Sequence, residues 1–461
     1  MLDQKLHSKP VTLILNHKVG PSLKLAHDTI STVKGASSTI FAIAIFSLIG
    51  LVSIALLVPL SQGSIRSPFT EELRRNMPAL SGFRLDPDHG TAKETPPQTS
   101  YNSTSTLTVK IGHVAPTSGV IGHLGQDNEF GARMAIDYLN SSNLKIGSRP
   151  VKFELLAEDD AANPSQGVDV AQKLVNAGVN GVIGHLNSGT TIPASQIYNA
   201  AGIPQISPSA TNPKYTRQGF SGAFRLVADD AHLGTTLGKY ALQTLKGNNI
   251  VVIDDRTAYG AGLADAFKNG VTSAGGTILA HEFTSDKATD FIVLLNSIKA
   301  KKPDVIFFGG MDSVAAPLLR QMKLLGIKAK FVGGDGICTW ELAELAGDAL
   351  IEDWVVCAEA GGVEGSRRAA MDNFRSNFKA KYNADVQVYA PYVYDAVLVM
   401  ANAMISAGSA EPSKYLPALK TINYNGLTGD ISFDNKGDVK NAALTIFTYR
   451  RGERIQLAVI R

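Results

Sequence analysis

The chain has 461 residues, a formal net charge of +3 and 18% charged residues. That length exceeds what one hydrophobic core normally organises, so two lobes are expected. So small a charge, with basic and acidic residues interspersed, offers no stripe for nucleic acid. The two cysteines, Cys338 and Cys357, exclude a fold that depends on a disulfide framework and leave room for one bridge.

Taken in chain order, the first feature is the uncharged, apolar stretch 39–60, TIFAIAIFSLIGLVSIALLVPL, long enough to cross a bilayer as a helix. Five lysines against two aspartates precede it, which fits an inside-facing flank. Residues 1–60 therefore read as a basic head plus an export signal or an uncleaved signal anchor, with everything after Leu60 outside. The tract 61–106, with PPQTSYNSTST and scattered prolines and glycines, lacks periodic burial and reads as a disordered linker.

From 107 onward strands and helices alternate. Strand 107–113, helix 129–139, strand 151–157, helix 164–177 and strand 179–183 follow one another. Helix 191–201, strand 204–206, a polar turn 207–213, strand 224–226 and helix 230–244 continue the unit. A second set runs through strand 249–253, helix 260–274, strand 276–281, helix 291–300, strand 304–308, helix 315–325, strand 330–332 and helix 340–345. This predicts two α/β lobes, each a mostly parallel sheet flanked by helices. Doubly wound sheets bind ligands outside the carboxyl ends of their strands, so two facing lobes share one cleft.

The loops at those strand ends carry the candidate chemistry. VIGHLNSGTTIPAS at 182–195 places Asn187, Ser188 and two threonines before a helix start, where unpaired N–H groups and hydroxyls favour an anion such as a carboxylate. Simple capping by Ser188 or Thr190 is the alternative. ISPSATNP at 206–213 offers Ser209 and Thr211, with Ala210 leaving space for backbone approach, or else is an ordinary proline-bounded turn. FVGGDG at 331–336 sets Asp335 between glycines, either as a partner for a ligand ammonium or as a turn residue. An anion holder in one lobe and an acid in the other describe an amino acid zwitterion.

With IGHVAPTSG at 111–119, EDDAANPSQGVDVAQKLV at 158–175, AYGAGLADAF at 258–267 and LTGDISFDNKGD at 427–438, these segments resemble, in family order, the periplasmic branched-chain amino acid binding proteins, the leucine/isoleucine/valine-binding component of ABC importers. The likeness covers 107–461 and implies the two-lobed type I periplasmic binding fold, with the ligand in the interlobe cleft. It implies that Ser188 holds the ligand carboxylate, that Ser209 and Thr211 hold carboxylate and ammonium through side chain and main chain, and that Tyr259 closes the lobes. Asp335 stands where the best-known members have a glutamate for the ammonium. Leu124 and Met311 replace aromatic lining residues and give an aliphatic wall. Ala162 and Asn187 stand where the family has a first-lobe disulfide. Lobe 1 is expected to comprise 107–229 and 358–436, and lobe 2 to comprise 230–357 and 437–461.

The resemblance implies a monomeric, periplasmic solute-binding protein that delivers leucine, isoleucine or valine to a membrane permease. A sensing module for amino acids or amides is the alternative, and a retained anchor would suit it. No cofactor is expected, because the glycine pairs 309–310 and 333–334 lack dinucleotide or phosphate-loop spacing, and dispersed histidines give no metal motif. Nor is an enzyme expected. Cys338 has no motif-placed histidine to activate it, and His185 reads as a satisfied core residue.

Overall fold

The computed structural model describes residues 105–460 except Glu364 and Ser366. The basic head, the apolar stretch 39–60 and residues 61–104 lie outside the described residues. Among the described residues no helix is long and apolar enough to cross a membrane. Both sheets belong to one compact unit.

The first lobe opens with β1 (Leu107–Ala115), α1 (Gly122–Ser141), β2 (Lys145–Ile146), β3 (Arg149–Asp159), α2 (Pro164–Asn176), β4 (Gly181–Gly184), α3 (Ser188–Ala200), β5 (Gln205–Ser207) and β6 (Ala223–Arg225). Its strands lie in the order β2-β3-β1-β4-β5-β6, all parallel except β2. The second lobe takes over with α4 (Asp230–Gln243), β7 (Ile250–Asp254), α5 (Ala258–Ser273), β8 (Ile278–Phe283), α6 (Ile292–Ala300), β9 (Val305–Gly309), α7 (Asp312–Leu324), β10 (Lys330–Gly333), α8 (Glu341–Ala346) and β11 (Val355–Glu359).

The chain then returns. α9 (Arg367–Tyr382), α10 (Ala390–Ser406) and α11 (Pro412–Lys420) supply Phe374, Val397 and Tyr415 to the core beneath the first sheet. A short hairpin of β12 (Tyr424–Asn425) and β13 (Asp430–Ile431) follows. Finally β14 (Leu444–Arg450) and β15 (Glu453–Ile460) add antiparallel to the second sheet, whose order is β15-β14-β11-β10-β9-β7-β8.

The period-2 pattern explains why helices cover both faces of that sheet. Val251 and Ile253 of β7 enter one core cluster with Ile306 and Phe308 of β9, while Ile250 and Val252 enter another with Val305 and Phe307. Local chemistry sets the helix starts. Asn163 caps α2 by accepting from the N–H groups of Ser165 and Gln166, with Pro164 at the first helical position; Thr257 caps α5 by accepting from Gly260 N. α1 begins at Gly122, earlier than predicted, because Asp127 and Asn128 read as loop residues yet are buried within the helix.

Three segments, 226–229, 360–363 and 440–443, carry the chain between the lobes. They are laced together: Ala228 N donates to Ala360 O at 3.3 Å, and the Thr445 hydroxyl to Gly361 O at 2.8 Å. A β-carbon on Gly361 would lie 1.7 Å from the Tyr392 hydroxyl, so any other residue at this crossing would displace that ring.

Candidate functional site

Polar loops from both lobes meet at the carboxyl ends of the central strands. From the first lobe, β4 ends in a bend whose His185 is buried, its ring paired with Asp160 at 2.8 Å and the Tyr198 hydroxyl at 3.0 Å. It is satisfied, as expected, but by polar partners rather than an apolar shell. The His185 carbonyl then takes the hydroxyls of Thr191 at 3.1 Å and Ser207 at 2.9 Å, which fixes the loops after β4 and β5 to each other.

Asn187 is the N-cap of α3 but makes no side-chain cap, and its buried Oδ1 has no partner. Ser188 is buried in the first turn, its Oγ accepting from Asn212 N at 3.2 Å. Thr190 and Thr191 spend their hydroxyls on the carbonyls of their own loop. The Ser209 hydroxyl likewise donates to Leu186 O at 3.1 Å, and the Ala210 N–H donates to Ser207 Oγ at 2.9 Å, so both groups are spent within the first lobe. Thr211 keeps a buried hydroxyl without a partner.

The second lobe supplies Asp335, buried just after β10. The Tyr259 hydroxyl donates to its Oδ1 at 2.7 Å and the Tyr389 hydroxyl to its Oδ2 at 2.8 Å. Tyr259 also accepts from Gly336 N at 2.9 Å, which ties the N-terminus of α5 to the loop after β10. Burial pushes the Asp335 carboxyl above the usual carboxylate range, against the pull of the two tyrosine hydroxyls. Leu124 and Met311 pack in one small apolar cluster with Ile121, Leu186 and Tyr389, forming a wall beside the polar groups.

Two further residues belong here that motif reading missed. Asp230, in the first turn of α4, is buried with neither carboxylate oxygen hydrogen-bonded. Burial, then the nearby Asp335 charge, raises its pKa well above the ordinary value; Thr211 pulls the other way without forming a well-made hydrogen bond. Tyr389 is set by Asp127, whose carboxylate accepts from the N–H groups of Gln387, Tyr389 and Ala390 at 2.8, 2.8 and 2.9 Å. An aspartate next to the N-cap Asp229 reads as part of a helix start, and a tyrosine in an apolar run reads as core. The doubled acid in VADDAH was the only available signal.

The lobes touch across the cleft. Asn212 Nδ2 donates to Ala258 O at 2.6 Å, and His123 Nε2 meets Asp312 Oδ2 at 2.8 Å. The arrangement brings together buried hydroxyls, a pair of buried acids and an aliphatic wall between the two sheets. Cys338 and Cys357 are joined in a disulfide, so neither is a free thiol. Among the described residues no group of acidic, histidine or cysteine side chains could hold a metal ion.

Comparison with known proteins agrees with this fold. A family model described as periplasmic binding protein matches residues 108–453. A Leu/Ile/Val-binding protein homolog of Brucella abortus is 36% identical over 354 residues, 77% of this chain and 93% of the relative. A leucine-, isoleucine-, valine-, threonine- and alanine-binding protein of Pseudomonas aeruginosa is 33% identical, over 75% of this chain and 90% of its own. Among solved structures, a branched-chain amino acid transporter substrate binding protein of Streptococcus pneumoniae in complex with isoleucine superposes with a TM-score of 0.68 at 27% identity, covering 77% of this chain and 99% of the other. With that family model matching most of the chain, from the first strand of one sheet to β14 of the other, the chain belongs to the periplasmic binding protein family.

Proposed function

We propose that this chain is an exported solute-binding protein that captures leucine, isoleucine or valine between its lobes and delivers it, as a monomer, to the permease of an ABC importer. The observation that carries the reading is the gathering of unfilled polar groups in one cleft. The buried Asn187 Oδ1 and Thr211 hydroxyl have no partner, Asp230 beside Thr211 has neither carboxylate oxygen hydrogen-bonded, and the buried Asp335 is held by Tyr259 and Tyr389. The names of the relatives point to the same ligands.

In this mechanism the α-carboxylate docks on Ser188 and the N–H groups of the first turn of α3, where the helix end favours an anion, and Thr211, beside Asp230, lies between carboxylate and ammonium. Ser209 contributes through the main chain. The ammonium is taken by Asp335, held in place by Tyr259 and Tyr389, with Asp230 beside it. Leu124 and Met311 accept the aliphatic side chain. Closure about the three crossings removes water, and charge-assisted hydrogen bonds gain strength in the lower dielectric.

Calorimetric titration of leucine, isoleucine, valine, phenylalanine and glutamate tests the reading, repeated with Ser188→Ala. Saturable binding of the aliphatic acids, weakened by the substitution, is expected. Preference for glutamate or phenylalanine over all three would sink the assigned ligand class.

A further inference from the structure

Beside the crossings lies a cavity of about 330 Å³ whose lining shares no residue with the polar cleft groups. Its walls come from both lobes: Arg368 and Arg375 of α9 and Tyr392 of α10 on one side, Glu359 of β11, Phe447 of β14 and Arg454 of β15 on the other. A change in the angle between the lobes therefore changes its shape.

Arg454 is the unusual member. Its side chain is 4% exposed, and its guanidinium packs 5.1 Å from the ring centres of both Trp340 and Phe447. Nη1 donates to Cys338 O and lies 3.5 Å from Glu359 Oε2, while Nη2 donates to Gln387 O at 3.4 Å. The buried Nε–H has no acceptor. A buried donor left unpaired costs free energy, and Arg454 is among the residues that line the cavity.

Charge and shape narrow the occupant. Three guanidiniums, Arg368, Arg375 and Arg454, line the space against two carboxylates, Glu359 and Asp372, the latter paired with Arg375 at 3.7 Å. One positive charge is left over, which suits a monoanion. Met371, Val386, Pro391 and Phe447 provide apolar wall that a bare inorganic anion would leave uncovered.

We propose that this cavity is a second ligand site, for a small monocarboxylate with an apolar body, and that its occupancy is coupled to closure of the main cleft. The coupling has a short physical route. Gln387, whose carbonyl takes Arg454, belongs to the turn that Asp127 gathers and that sets Tyr389 on Asp335. An anion that draws Arg454 toward itself biases that turn, and coupling between two sites is reciprocal.

The test uses the full chain and hexanoate, with the main cleft disabled by Ser188→Ala and Asp335→Asn so that amino acid binding there cannot contribute. Calorimetry should show saturable binding at one site. Arg454→Lys keeps the charge but removes the Nε–H, and should weaken binding by about tenfold or more. Arg375→Gln, exposed at the mouth, should weaken it by about threefold and covers the case in which the Arg454 variant fails to fold. In the intact chain, saturating hexanoate should shift the leucine affinity. No saturable heat, equal binding of hexanol, equal binding of inorganic phosphate, or indifference to both arginine substitutions would each overturn the site as described. Hexanoate binding with an unmoved leucine affinity would overturn the coupling.

Discussion

Replacing Asp335 with asparagine separates charge from shape in the cleft. The carboxylate is buried and accepts from Tyr259 at 2.7 Å and Tyr389 at 2.8 Å. The amide has the same outline, keeps an oxygen for one tyrosine, and offers an N–H to which the other hydroxyl can turn as acceptor. What disappears is the ionic partner of the ammonium. Removing one member of a buried ion pair costs about 3–5 kcal/mol, which at about 1.4 kcal/mol per decade is roughly two to three and a half orders of magnitude in Kd. Asp230 remains and takes part of the charge, so the lower end is expected. The ligand-free protein should respond in the opposite sense. Burial raises the folded-state pKa of Asp335, so the native state holds that proton more tightly than the unfolded chain, and stability falls as pH rises from the unfolded value through the folded one. At neutral pH asparagine removes that penalty, and the empty variant should melt at the same temperature or higher. Leucine titration and thermal melts read both effects. A leucine affinity within about threefold of the parent would refute the ammonium role, and a lowered melting temperature would refute the assignment of Asp335 as a buried, destabilising carboxylate.

Burial pushes both Asp230 and Asp335 toward the neutral form, and an arriving ammonium favours the ionised form, so binding should expel protons. Affinity should then rise from acid toward neutral pH, and the binding heat should vary with the ionisation heat of the buffer; a heat independent of buffer contradicts this. Reducing the Cys338–Cys357 bridge, whose sequence separation is 19, should cost about 3 kcal/mol of stability, read from the urea midpoint with and without reductant. Tyr198→Phe leaves His185 Nε2 buried without its partner and should cost about 1–3 kcal/mol. Because that histidine anchors the loop carrying Ser188, leucine binding should weaken too, and an unchanged urea midpoint would show the contact to be dispensable.

The alternation of strands and helices was legible because β7 and β9 are covered on both faces and read as unbroken apolar runs between helical periods. Asp335 and Ser188 stood out as candidates for another reason, since each lies in a segment whose glycines and small polar residues mark a strand-end loop, whereas Tyr259 stood out only through the family resemblance. Asp230 and Tyr389 were not, since what distinguishes them is the company folding brings from distant sequence. Tyr389 meets Asp335 only because Asp127, on α1, gathers the N–H groups ahead of α10. The same holds for His185, whose partners Asp160 and Tyr198 lie on neighbouring elements that no local pattern pairs. The hydroxyls of Thr190, Thr191 and Ser209 show the converse, since residues of the right chemistry in the right loop are occupied with its carbonyls.

The path of the chain between the lobes has a consequence for biogenesis. Helices α9–α11 complete the core under the first sheet, and β14 and β15 complete the second, so both cores wait for the carboxyl-terminal portion of the chain. A nascent chain halted before Leu444 has β11 as an open edge with unpaired backbone groups. Such contacts between distant segments are slow to form. Synthesis of most of the polypeptide therefore precedes the burial of either lobe, and during that interval the chain remains threadable.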